Sequence, residues 1–177
     1  ILGSILILLA CASPEDKKKT FYIEAERYLK AQKYTEARLA LKNAIKIDPL
    51  FIQGHFLLAK CELEQKNIRK AYAHVQRALE LDPDHLEART FLGMIYLQAG
   101  ALDQASNEIE TVLEQEPQNS RALFLKAAVA VRGNSFQEGK RILSGLLEED
   151  PQLEEAYVLQ SLTFQKQEEQ PKALEVL

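Results

Sequence analysis

The chain has 177 residues and a formal net charge of −4, with 46% hydrophobic and 27% charged residues. This composition is typical of a soluble globular chain and argues against a disordered or multi-spanning one. Two cysteines are too few for a disulfide framework. The sequence has no glycine-rich phosphate-binding loop, so no cofactor is predicted. The mildly acidic net charge gives no reason to expect nucleic acid as a partner.

Residues 1–10 are almost entirely apolar. A membrane-spanning helix needs about 20 such residues, so this run has instead the length of a signal-peptide hydrophobic core. No methionine or basic segment precedes it. We therefore expect the chain to begin inside a longer signal.

The segment Leu8-Leu9-Ala10-Cys11 resembles the bacterial lipobox, in which a cysteine directly follows the cleavage site and is acylated. The resemblance implies a signal peptide over residues 1–11, fatty acid such as palmitate on Cys11, and a short linker over residues 12–17. Two acyl chains suffice for stable membrane attachment. Ala12 follows the cysteine, which by the same resemblance favours the outer over the inner membrane. Alternatively, Cys11 is a small apolar residue in an ordinary signal or anchor.

Prolines recur every 34 residues, each preceded by an acidic residue. With each proline set as position 32 of a unit, small residues share positions 8 and 20, and large apolar residues share position 24. Small residues let two antiparallel helices approach closely, and proline ends the second helix because it has no N–H. The prolines are Pro49, Pro83, Pro117 and Pro151; position 8 holds Ala25, Ala59, Gly93, Ala127 and Ser161; position 20 holds Ala37, Ala71, Ala105, Gly139 and Ala173; position 24 holds Leu41, Val75, Ile109, Leu143 and Leu177.

These columns resemble the tetratricopeptide repeat, a helix–turn–helix unit with a period of 34 residues. Residues 86–119 carry the best match, with Leu92-Gly93, Tyr96, Gly100, Ala105 and Pro117 on the signature positions. The resemblance implies an all-α fold, a right-handed α-solenoid of about five units. Their predicted ranges are 18–51, 52–85, 86–119, 120–153 and a partial unit 154–177 that stops inside its second helix.

The same resemblance implies that the first helix of each unit lines a concave groove that binds protein partners. An apolar groove favours an amphipathic helix or an extended hydrophobic segment. The alternative is that these side chains pack against neighbouring units. The implied groove residues are Tyr22, Glu26, Leu29, Phe56, Lys60, Leu63, Thr90, Met94, Leu97, Phe124, Val131, Val158 and Leu162.

Single residues that could bind a metal, react or contact lipid are less clearly indicated by the sequence than the repeat. The three histidines, His55, His74 and His85, share no obvious face of a predicted helix, so we predict no metal site. Cys61 is interpreted as a small buried hydrophobe. The run Lys17-Lys18-Lys19 either contacts anionic lipid head groups or forms a solvated helix start. No Ser-His-Asp arrangement is indicated, and we predict no enzyme activity and no cofactor.

An α-solenoid joined to a lipid-attachment signal predicts a membrane-anchored scaffold that faces the periplasm in bacterial envelope assembly. The chain is similar to the tetratricopeptide lipoproteins of exopolysaccharide and exosortase (PEP-CTERM) systems, especially around Ala40-Leu41-Lys42-Asn43-Ala44. A type IV pilus assembly lipoprotein is the alternative of the same class. The alternative of another class is the repeat arm of a larger enzyme, such as a glycosyltransferase.

Overall fold

Short helices joined by tight turns make up the structure, a computed structural model that describes residues 13–174, with side chains described as far as residue 167. The predicted signal peptide and Cys11 lie outside the described residues. Over the described range the helices are α1 (Pro14–Lys30), α2 (Tyr34–Ile47), α3 (Ile52–Glu64), α4 (Ile68–Leu81), α5 (Leu86–Ala99), α6 (Leu102–Gln115), α7 (Ser120–Arg132), α8 (Phe136–Glu149) and α9 (Glu154–Leu174). Residues 13–174 contain no strand, which confirms the predicted all-α helical-repeat fold.

The chain divides into two units at Pro83. The first contains the helical hairpins α1–α2 and α3–α4, with α2 packed on α3. The second contains the hairpins α5–α6 and α7–α8, followed by α9, with α6 packed on α7 and α8 on α9. No helix among residues 13–174 is long and apolar enough to cross a bilayer.

Each second helix ends at the predicted proline. The helices α2, α4, α6 and α8 each end two residues before their proline. The acidic residue between the end of the helix and the proline is the C-cap. At the ends of α2 and α8 the carboxylate of this residue also accepts a hydrogen bond from the backbone N–H two residues later. The Leu50 N–H donates to Asp48, and the Gln152 N–H donates to Asp150. The acidic residue therefore caps the turn that the proline enforces.

The turn inside each hairpin places one residue, at position 15 of the unit, in the left-handed region. The four residues are Gln32, Lys66, Gly100 and Asn134, with φ between 55° and 77°. The backbone N–H of the residue after the turn residue donates to the carbonyl five residues before it. In the first hairpin Lys33 donates in this way to Tyr28 at 2.8 Å. This is the hydrogen bond of a Schellman motif, which satisfies carbonyls at the end of the first helix.

The hairpin cores contain the small and large residues that the period predicts. Alanines at positions 8 and 20 are completely buried from Ala25 to Ala127, and so are the large residues Leu41, Val75 and Leu143 at position 24. At Gly139 a Cβ atom would lie 2.7 Å from Cγ2 of Val131, so no larger residue fits without a shift. The role predicted for these columns is confirmed.

Both ends of the described range differ from the sequence-based expectation. The predicted linker of residues 12–17 is helical from Pro14, because Ser13 and Asp16 form a capping box. At the other end, the fifth unit was predicted to turn and begin a second helix. Instead α9 continues without a break to Leu174. Residues 165–170 are all Gln, Lys or Glu, which are good helix formers, and position 15 is Glu168 rather than glycine or asparagine.

Candidate binding surface

The predicted groove residues of the first unit lie on α1 and α3 and are largely packed. Phe56 is only 5% exposed, with the Lys60 ammonium 4.4 Å from its ring centre. Tyr22 and Leu29 pack against the core cluster of this unit, and Leu63 is half-buried. Glu26 is exposed and Lys60 is half-buried, so both can offer a charge to solvent on this face.

Three predicted groove residues of the second unit are buried. Thr90 is 8% exposed and its hydroxyl donates to the carbonyl of Leu86 at 2.9 Å. Leu97 and Val131 are 8% and 4% exposed. As with Phe56, these side chains fill the interior and leave almost no surface for a partner, which favours the packing alternative for these four residues.

The other four groove residues of the second unit remain accessible. Met94 and Phe124 are half-buried on α5 and α7, while Val158 and Leu162 on α9 are 61% and 48% exposed. The helices α5 and α7 are the first helices of consecutive hairpins, α9 follows the second hairpin, and α7 contacts both α5 and α9. We call Met94, Phe124, Val158 and Leu162 the apolar patch.

Arg121 on α7 contacts Met94 and Phe124 of this patch and pairs with Glu155 on α9. Its guanidinium donates to Glu155 at 3.0 Å, lies 3.7 Å from the sulfur of Met94, and is 5.7 Å from the ring centre of Phe124. The side chains of Arg121 and Glu155 are 51% and 61% exposed. An ion pair this exposed contributes at most about 1 kcal/mol, so Arg121 can exchange Glu155 for a carboxylate of a partner.

A histidine pair that was not predicted from the sequence lies inside the α3–α4 hairpin. The Nδ1 atoms of His55 and His74 are 3.3 Å apart, and Nε2 of His55 is 3.2 Å from the carbonyl of Pro49. A carbonyl only accepts, so Nε2 of neutral His55 carries the proton and its Nδ1 accepts from His74. The expectation that these two histidines share no face was wrong, because positions 4 and 23 meet across the hairpin. His85 is separate and accepts the N–H of Ala88 at the start of α5.

Burial is the main reason that both histidines have lowered pKa values. The nearby Arg77 lowers the pKa of His55 further, whereas Asp48 and the Pro49 carbonyl oppose the shift. For His74, His55 and Lys42 act in the same direction as burial, and Glu62 opposes it. No group of three or more His, Cys, Asp or Glu within residues 13–174 is arranged to hold a metal ion.

Two neighbouring residues of α3, Cys61 and Glu62, are fully buried. Oε2 of Glu62 accepts from the Asn67 amide at 2.9 Å, while Oε1 has no hydrogen-bond partner in the described structure. Burial, with the adjacent carboxylate, raises the pKa of the Cys61 thiol to about 12, so it stays protonated. The burial agrees with the prediction for Cys61. Glu62 was missed, although its signal is visible: Tyr28 and Tyr96 occupy the same position 11 in neighbouring units.

The lysine run at the start of α1 is only partly available. Lys18 donates to Asp48 at 2.8 Å, pairs with Glu15 and lies 5.0 Å from the ring centre of Phe51. The Lys18 ammonium in turn lowers the pKa of Asp48. Lys17 and Lys19 are exposed, so for these two residues both predicted alternatives, contact with lipid head groups and exposure to solvent, stay predictions.

Two family models match the chain, and both describe a tetratricopeptide repeat. One matches residues 22–85 and the other residues 62–129. Together they extend over more than half of the chain. No curated protein sequence matches it closely.

Solved structures show the same fold at low sequence identity. MamA from Desulfovibrio magneticus RS-1 is 18% identical over 92% of each chain, with a TM-score of 0.76. PilF from Pseudomonas aeruginosa is 16% identical over 88% of this chain and 71% of its own, with a TM-score of 0.75. YrrB, described as having an unusual peptide-binding site, is 21% identical over 81% of this chain and 74% of its own, with a TM-score of 0.69. At these identities the similarity is one of fold.

Proposed function

Because the chain belongs to the tetratricopeptide repeat family, we propose that it is a membrane-anchored scaffold that binds protein partners in the bacterial envelope. The family membership supports protein binding through a helical-repeat surface directly. The lipid anchor, the location in the cell envelope and the non-catalytic role are further parts of the proposal.

The apolar patch of the second unit is the observation that carries the binding role. Val158 and Leu162 expose about half or more of their side chains, and they follow Glu155, which pairs with the exposed guanidinium of Arg121, by one and two turns of α9. Fully burying an exposed aliphatic side chain contributes about 1.5–3 kcal/mol, so burying the part of each that is still exposed contributes about half of that. A hydrophobic segment with an acidic residue beside it therefore fits this surface, with the carboxylate placed to pair with Arg121.

Site-specific photo-crosslinking in cells tests the binding role. A photoreactive amino acid replaces Leu162 in the patch or, as a matched control, Leu39 on α2, which is 63% exposed. We expect a discrete cross-linked partner from position 162 that is lost when Val158→Glu is added, because a carboxylate there would have to be desolvated. The same cross-linked product from position 39, or one insensitive to Val158→Glu, would refute the assignment.

The proposed anchor is Cys11. Its support is the lipobox resemblance of residues 8–11 at the end of an apolar run. Metabolic labelling with a radioactive fatty acid should mark the wild-type protein and not the Cys11→Ser variant. Equal labelling of both proteins would contradict lipid attachment at this residue, and separation of inner and outer membranes would show which one holds the labelled protein.

The biological system is proposed to be exopolysaccharide or exosortase assembly. A type IV pilus assembly lipoprotein is the second candidate, and the likeness to PilF supports it only as a likeness of fold. Exopolysaccharide genes beside the coding sequence would favour the first, and pilus genes the second. A catalytic domain in the complete reading frame would instead support the repeat arm of an enzyme.

A further inference from the structure

One end of the first hairpin, α1–α2, contains five lysines. The start of α1 and the end of α2 lie side by side at this end, since the Lys18 ammonium donates to Asp48 at 2.8 Å. We call the two segments, residues 15–19 and residues 42–48, the basic end. Its charged residues are Lys17, Lys18, Lys19, Lys42 and Lys46 with Glu15, Asp16 and Asp48.

The equivalent end of each of the other three hairpins is acidic. It holds one basic and two acidic residues in the second hairpin, none and five in the third, and one and three in the fourth. Position 29 is exposed in all four second helices, and it is Lys46 in the first but glutamate in the others. The positive charge therefore belongs to the first hairpin and is not a property of the repeat. The equivalent segments are 49–53 with 76–82, 83–87 with 110–116, and 117–121 with 144–150.

The carboxylates of the basic end have partners within the first hairpin. Lys18 pairs with both Glu15 and Asp48, and only 14% of its side chain is exposed. The Asp16 carboxylate accepts from the Ser13 hydroxyl at 2.7 Å, in the capping box of α1. The basic end can therefore offer its other ammonium groups to an external anion. They belong to Lys17, Lys19, Lys42 and Lys46, which are exposed.

The proposed lipid attachment site is close to the basic end along the chain. Pro14, the first residue of α1, follows Cys11 by three residues. Even a fully extended chain of three residues spans only about 11 Å, so an acylated Cys11 keeps the start of α1 within that distance of the bilayer. Lys30 and Lys33 lie at the opposite end of the hairpin, about 20 Å away along the 14 residues of α2.

We infer that the basic end binds the anionic head groups of phospholipids in a bilayer, an inference that rests on the proposed anchor at Cys11. The short connection to Cys11 favours a lipid over an acidic protein, because it brings the bilayer surface to the exposed lysines. An acyl chain and a basic patch act together in stable membrane attachment. Each basic residue near an anionic surface strengthens binding about fivefold.

Binding of the full, non-acylated chain to lipid vesicles tests this inference. Vesicles of phosphatidylcholine alone are compared with vesicles of equal parts phosphatidylcholine and phosphatidylglycerol, and bound protein is separated by sedimentation. Residues 1–10 carry no charged side chain, so their contribution is shared by both kinds of vesicle. The ratio of the two partition coefficients, which we call the anionic preference, therefore measures the contribution of charge.

We expect an anionic preference of at least about 25-fold at about 0.1 M salt, which decreases as salt is added, because the basic end has two more basic than acidic residues. The double variant Lys42→Gln, Lys46→Gln should lower the preference by about 25-fold, since two exposed positive charges are removed. The matched control Lys30→Gln, Lys33→Gln removes the same charge at the opposite end. Its preference should change by less than about twofold, because about 20 Å is twice the Debye length.

Equal binding to both kinds of vesicle would overturn the inference. So would equal losses in the two double variants, because the position of the charge would then be irrelevant. Glutamine has nearly the helix propensity of lysine, and circular dichroism checks that both variants keep their helices.

The anchor and the lipid contact can fail separately. Vesicle binding of the non-acylated chain does not depend on modification of Cys11. A strong anionic preference without fatty-acid labelling of Cys11 would support the basic end and contradict the anchor. Labelling of Cys11 without any anionic preference would support the anchor and contradict the basic end.

Discussion

Two glycines of the second unit test whether backbone conformation, rather than packing, sets the residue at the hairpin turn. Gly100 has φ of +77°, and an added Cβ would have no atom within 4 Å. Gly145 lies inside α8, and its Cβ would also have no neighbour within 4 Å. Alanine therefore adds the same solvent-facing methyl group at both sites, and only the backbone conformation differs.

The two substitutions should change stability in opposite directions. A non-glycine residue in the left-handed region is disfavoured by about 1–2 kcal/mol, so Gly100→Ala should destabilise the chain by about 1 kcal/mol. Alanine is favoured over glycine inside a helix by about 0.5–1 kcal/mol, so Gly145→Ala should stabilise by that amount. The expected difference in the free energy of unfolding is about 2 kcal/mol.

Urea unfolding followed by circular dichroism measures this difference through the midpoint concentration, with the slope as a check on the unfolded state. In a thermal scan the two variants should melt about 4–8 °C apart for a chain of this size. A stabilising Gly100→Ala, or changes of the same sign at both sites, would show that the left-handed turn does not restrict the residue at position 15.

Further predictions follow from the same structure. Gln32→Gly and Lys66→Gly should each stabilise the chain by about 0.5–1 kcal/mol in urea unfolding, because both residues have positive φ; unchanged midpoints would contradict this. Gly139→Ala should destabilise by about 1–3 kcal/mol, since its Cβ would meet a methyl group at 2.7 Å, and a neutral result would mean that the hairpin yields easily. The lowered pKa values of His55 and His74 mean that the unfolded chain takes up protons first, so stability should fall as the pH drops below the ordinary histidine value of about 6.5 and level off below the folded-state pKa values. Midpoints measured from pH 8 to pH 5 (about the range in which histidine titrates) should lose most of this dependence in the His55→Phe, His74→Phe double variant.

The repeat register was predictable because it depends on residue size and on proline. Small residues (alanine, glycine or serine) at positions 8 and 20 recur every 34 residues, as does the acidic residue before each of the four prolines at position 32, so their shared role was visible without coordinates. The left-handed turn residue could be predicted only where a glycine or an asparagine occupies position 15. Gly100 and Asn134 are typical left-handed residues, whereas Gln32 and Lys66 adopt the same conformation because the hairpin imposes it.

The binding surface was harder to predict, since exposure depends on packing between helices. Leu97 and Leu162 were both assigned to the groove, at positions 12 and 9 of their units, yet the first is 8% exposed and the second 48%. How much of each side chain stays exposed depends on the helices that pack around it. The contact between His55 and His74 was missed for the same reason, because it joins positions 19 residues apart on two helices.

The recurring turn and cap have a consequence for how such a chain can change length. The left-handed turns share one backbone conformation, and the acidic C-caps before the prolines share another. Gene duplication or deletion of whole 34-residue blocks keeps these turns and caps in register, whereas a change of one residue inside a helix rotates the rest of that helix by about 100°. Insertions of other lengths are therefore expected to survive only in the loops.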